Sequence, residues 1–179
     1  MNLRSLALAA LAPAGLLFVH DFGGNYDNAR MAATTAVEIE AGKALTISHN
    51  AIHWRQDIYE GVKSGRTKQF FAPYAWYRKI ALAKVPGPMQ LGGKPIGAGD
   101  WTISIKVPGE DPTKFMLEWK QGEQAVDVAL DMKGGNEVED HLLLALTPRG
   151  GNESKDFELK VFYGDMRATV AGSIGGKVQ

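Results

Sequence analysis

The residues best suited to chemistry in this chain are three histidines, His49, His53 and His141. A neutral imidazole ligates zinc-like ions and carries protons near neutral pH. His49 and His53 are four apart, the spacing of a ligand pair on a helix. The residues around them alternate at period two, however, and on a strand four residues span roughly 13 Å. One ion could join them only across a bulge, with His141 supplying a third ligand. The preferred reading is therefore ordinary polar or interface histidines, with no metal and no cofactor.

A second candidate is the repeated pattern Gly-Gly-Asn-Glu-x-x-Asp, beginning at Gly134 and again at Gly150. Its oxygen donors suit calcium, but a strand over 141–148 would hold the two copies roughly 26 Å apart. Glycine and asparagine are also what sharp turns demand. Both copies are expected to be turns.

Catalytic patterns are missing. The chain has no Gly-x-Ser-x-Gly elbow, His-Glu-x-x-His pair or phosphate loop. Gly97-Ala98-Gly99 runs into a strand, so it is no dinucleotide fingerprint. With no cysteine, thiol nucleophiles, thiolate metal sites and disulfides are excluded. The chain is not expected to be an enzyme.

The densest unusual feature is "RTKQFFAPYAWYRK", residues 66–79. Phe70, Phe71, Tyr74, Trp76, Tyr77 and Arg78 mix aromatic area with basic charge, the composition of a protein contact or a membrane interface. The competing reading has half of these rings filling the core. Stacking on single-stranded nucleic acid would use the same residues. Lys plus Arg equals Asp plus Glu at 20 each, so no net field recruits nucleic acid, and none is expected as a partner.

The N-terminus points to export. Arg4 precedes the apolar run over 6–19, which carries Leu6, Leu8, Leu11, Leu16, Leu17 and Phe18. That run suits a signal-peptide core and is shorter than the ~20 residues of a spanning helix. Ala12-Pro13-Ala14 lies inside the run, His20-Asp21-Phe22 is a poor cleavage junction, and Met31-Ala32-Ala33 is a late one. Two outcomes stand: cleavage, or retention of the leader as an anchor to a membrane complex on the periplasmic side. Residues 20–35 read as a linker.

The elements that must position these residues are strands. Val37 and Ile39 alternate with glutamates, and Leu45, Ile47 and His49 alternate with Thr46, Ser48 and Asn50. Trp101, Ile103, Ile105 and Val107 share one face before the "PGEDP" break, and Phe115, Leu117 and Trp119 resume the alternation as a hairpin. Further stripes are Val126 to Met132, Leu142 to Leu146, Phe157 to Tyr163, and a weaker one over 166–174. Only residues 56–64 could make a helical turn. With 179 residues there is room for one domain, expected over 36–175. The fold class is all-β, an antiparallel β-sandwich of about eight or nine strands, with a closed barrel as the alternative.

Several of these residues carry a family likeness. Ala98-Gly99-Asp100-Trp101-Thr102 with Pro108-Gly109-Glu110, the Pro73-Tyr74, Trp76 and Arg78 segment, and the Gly65-Arg66 step together resemble the bacterial domain-of-unknown-function family 2911. The resemblance spans about residues 36–172 and implies an exported all-β domain. After its Trp-Arg pair the family has a Gly-Ala-x-Glu-Ala-Thr run, whereas "KIALAKV" stands here. That departure favours a structural or binding role. The function expected is a non-catalytic exported binding or accessory subunit of the cell envelope, with a protein partner there or in a membrane complex. The alternative is a small secreted enzyme or carbohydrate-binding module using the region of Tyr74, Trp76 and Arg78.

Overall fold

The computed structural model describes residues 32–54, 56, 60, 79–106, 114–151 and 154–175. Strand β1 (Ala32–Glu40) and strand β2 (Lys43–Asn50) form the first hairpin. Strand β3 covers Ala81–Val85, β4 Met89–Leu91 and β5 Lys94–Ile96. Strand β6 (Gly99–Lys106) pairs with β7 (Phe115–Gln121), and β7 with β8 (Gln124–Leu130). The two longest strands are β9 (Lys133–Arg149) and β10 (Asp156–Ile174).

These strands build two antiparallel sheets that do not close into a barrel. One has six strands in the order β1-β2-β3-β6-β7-β8, and the other four in the order β5-β4-β10-β9. The expected sandwich is therefore the fold, and the described strands number ten. The increase comes from β3, β4 and β5, which are too short for a clear period. The stripes over Phe157–Tyr163 and 166–174, expected as separate strands, are one strand. The first strand starts at Ala32, inside the stretch expected as linker, and Ala32 pairs with Asn50.

Each apolar stripe faces the space between the sheets because strand side chains alternate in direction. Leu45, Ile47 and His49 are buried on β2, Trp101 and Ile103 on β6, and Leu117 and Trp119 on β7. The facing sheet contributes Leu142, Leu144 and Leu146 from β9 and Phe157, Leu159 and Val161 from β10. Burying each such side chain is worth about 1.5–3 kcal/mol, so this shared core is what holds the sheets together. Ile105, expected inward, is only half-buried near the end of β6. Val107 lies outside the described residues.

Turn chemistry also follows the sequence. Gly92 and Gly93 join β4 to β5 with φ of 57° and 73°, a left-handed pair that a two-residue hairpin favours and that glycine adopts without a Cβ clash.

One expectation is overturned. The first Gly-Gly-Asn-Glu-x-x-Asp copy, 134–140, lies within strand β9 and is no turn. The second begins at the β9–β10 connection, where Gly150 has φ of 91°. In β9 the surplus residues are absorbed by two register shifts against β10, between Phe162 and Gly164 and between Gly164 and Met166. A bulge can accommodate extra residues while the flanking ladder continues.

Candidate functional site

The link leaving β2 crosses from the six-stranded sheet to the edge of the four-stranded one. Trp54 N–H donates to the Asp140 carbonyl at 2.7 Å, and Leu142 N–H donates to the Ile52 carbonyl at 2.8 Å. Between these bonds His53 and His141 oppose each other in an isolated antiparallel bridge.

The same edge of β9 continues with side chains as its partners. Leu144 N–H donates to His49 Nε2 at 3.2 Å, and Leu146 N–H donates to Thr35 Oγ1 at 2.9 Å. The N–H groups of Leu142, Leu144 and Leu146, at every second residue, are therefore satisfied by a carbonyl, an imidazole and a hydroxyl. An exposed strand edge invites pairing with another chain, and this stretch is sealed against it.

His49 is 2 % exposed. Because its Nε2 accepts a backbone N–H, the neutral ring carries its proton on Nδ1, which has no hydrogen-bond partner. Desolvation pushes its pKa down to about 4, since burial disfavours the imidazolium. The residue is a neutral core histidine that completes a sheet edge.

His53 and His141 behave differently. Their ring centroids are 5.1 Å apart with planes at 60°, and His53 is exposed while His141 is half-buried. By type alone the three histidines form one candidate set. The structure brings two of them together and takes the third into the core.

Trp54 packs edge-to-face on Tyr163, with centroids 4.8 Å apart. It also lies over Gly164, where a Cβ would collide with the indole ring. Glycine is required here twice over, because its φ of 62° is left-handed as well. Tyr163 Oη donates to the His53 carbonyl at 3.3 Å, and burial pushes its phenol above the ordinary range. None of Trp54, Tyr163 or Gly164 stood out as a site residue in the sequence. Their roles depend on residues about 110 positions apart meeting.

On the outer face of the four-stranded sheet, Phe162 and Leu143 are register partners and so project to the same side. Leu143 is 37 % exposed, and Val138 in the shifted part of β9 is 61 % exposed. The Arg167 guanidinium carbon stands 5.4 Å from the Phe162 ring centroid, a cation–π contact. The same guanidinium donates to the Glu137 carbonyl at 3.0 Å and pairs with its carboxylate at 3.4 Å.

The outer face of the six-stranded sheet is polar by contrast. Lys106 Nζ reaches Glu118 Oε1 at 2.8 Å and Asp127 at 3.1 Å. The hydrogen bond that Lys106 donates to Glu118 leads the causes that raise the Lys106 pKa, opposed by desolvation. This is a cross-strand ladder of surface charge, structural in effect.

Phe70, Phe71, Tyr74, Trp76, Tyr77 and Arg78 lie outside the described residues, as do Leu6, Leu8, Leu11, Leu16, Leu17 and Phe18. Among the described residues no helix is long and apolar enough to cross a membrane. Compared with protein-family models, curated proteins and solved structures, the chain finds no match in any of the three.

Proposed function

We propose that this protein is a non-catalytic binding or accessory subunit, exported to the cell envelope, that docks a protein partner through the outer face of its four-stranded sheet. The observation that carries this reading is the register pair Leu143 and Phe162 with Arg167 over the ring. Aromatic, aliphatic and arginine side chains together are the composition of contact centres, where a few such residues supply most of the binding energy. Ionisable side chains on both sheets are engaged in cross-strand pairs, such as Lys106 with Glu118 and Asp127, and Arg149 with Glu158. The apolar leader over 6–19 and the motifs that resemble family 2911 support export, with the leader as the tether to a membrane complex.

The test is site-specific photo-crosslinking in cells that express the full chain. A crosslinker at Leu143 should trap one discrete envelope protein, and Arg167→Ala should weaken that product several-fold. A crosslinker at Ser48, on the other sheet, should trap none. Recovery from the cytosolic fraction, or equal trapping from both faces, would overturn the reading. Turnover of an envelope polysaccharide by purified protein would favour the enzyme instead.

A further inference from the structure

Residues opposite one another in an antiparallel bridge have Cβ atoms about 4.5–5.5 Å apart and side chains on one face. His53 and His141 are such a pair, and their ring centroids stand 5.1 Å apart. Two imidazoles on one ion, each with a metal–nitrogen distance of about 2.0–2.1 Å and a near-tetrahedral angle, have centroids roughly 5 Å apart. The observed separation matches that ligand spacing.

We propose that His53 and His141 form a two-imidazole site for a late first-row divalent ion of the zinc, nickel and copper class, which clamps the link after β2 onto strand β9. The backbone on both sides of the pair is pinned by the bonds from Trp54 to Asp140 and from Leu142 to Ile52. Ordering two already anchored ligands loses less conformational freedom than gathering two mobile ones. His53 is exposed, so an ion can reach the rings from solvent.

Local charge favours a cation here, because two carboxylate residues, Glu139 and Asp140, immediately precede His141. Nitrogen ligands select zinc, nickel or copper over calcium and magnesium, which prefer oxygen. His49 takes no part, because its Nε2 is committed to Leu144 N–H in the core. Among the described residues no group of three or more His, Asp or Glu is arranged to hold an ion, so water fills the remaining positions and binding is modest. An ion bound only by the folded chain raises its stability in proportion to the logarithm of ion concentration over Kd.

The experiment uses the full chain, stripped with chelator and titrated with Ni(II) while Tm is recorded, alongside Cu(II) binding followed by electron paramagnetic resonance. One ion per chain is expected, with a Tm rise of several degrees and a copper spectrum showing two coupled nitrogens. His53→Ala and His141→Ala should each weaken Ni(II) binding at least tenfold and remove the two-nitrogen signature. His49→Gln and His20→Ala should keep both. Should His141→Ala fail to fold, His53→Ala at its exposed position decides the matter alone. A Tm rise that persists undiminished in His53→Ala, or no rise in the parent chain, overturns the site.

Discussion

The β6–β7 and β9–β10 hairpins obey opposite rules. In the first, Thr102 to Lys106 pair with Lys120 to Met116 without a break in register. Trp101, Ile103, Leu117 and Trp119 are buried, while Thr102, Ser104 and Glu118 point away from the core. In the second, strict pairing from Asp156 to Phe162 gives way to two shifts around Gly164. There the chain accepts Trp54 from a distant link and turns acidic residues and Val138 outward. A regular ladder places side chains by parity alone. A bulged one re-aims them, and what it aims at depends on the partner it meets.

The comparison breaks most sharply at Ile103, which is fully buried. Ile103→Asp leaves an unpaired carboxylate in the core, and the expected result is loss of cooperative unfolding by circular dichroism. Ser104→Asp, one residue away on the outer face, should change stability by less than about 1 kcal/mol. Equal effects would mean that β6 is not the regular strand described.

The bulged hairpin is sharpened at Gly164. Gly164→Ala introduces both left-handed strain and a clash with the Trp54 ring, together about 2–5 kcal/mol by denaturant unfolding. Gly42 has a similar φ of 77° with nothing within 4 Å of a Cβ, so Gly42→Ala should lose only about 1–2 kcal/mol. In a Trp54→Ala background the two glycine substitutions should become alike. A persistent difference there would place the constraint somewhere other than the indole.

The last contrast is the pH dependence of the sealed edge. His49 is held near 4 in the folded chain, against about 6.5 for an unfolded histidine. Below that higher value the unfolded state binds a proton that folded His49 refuses. Stability contributed by neutral His49 is thus complete above about pH 6.5 and falls as pH drops towards 4, by up to about 3 kcal/mol. Unfolding free energies at pH 7 and pH 4.5 should differ by about 2–3 kcal/mol less in His49→Gln, which keeps an acceptor for Leu144 N–H. An unchanged pH slope would show that His49 is not the group responsible.

These contrasts mirror what was legible beforehand. The strand faces of β2, β6 and β7 could be read directly, because half-buried strands write their burial in alternating residue types. His49 was readable as an inward residue from its parity with Leu45 and Ile47, but not its acceptor role, which depends on β9 lying beside β2. The "GGNEVED" run was misread because its glycines and carboxylates have turn composition whether they make a turn or fill a bulge. Leu143 and Phe162 gave no signal as a pair, since each looks like one more apolar residue until the register sets them side by side.

By itself the sequence determined the all-β class and most of the inward stripes, both consequences of period-two patterning. Only the tertiary structure decided that two sheets rather than a barrel form, that His53 meets His141 while His49 seals an edge, and that Trp54 occupies the space above Gly164. Those outcomes rest on contacts between segments about 90 to 110 residues apart. Local propensity carries no information about such pairings, because they are chosen by which apolar faces and backbone edges can be satisfied together.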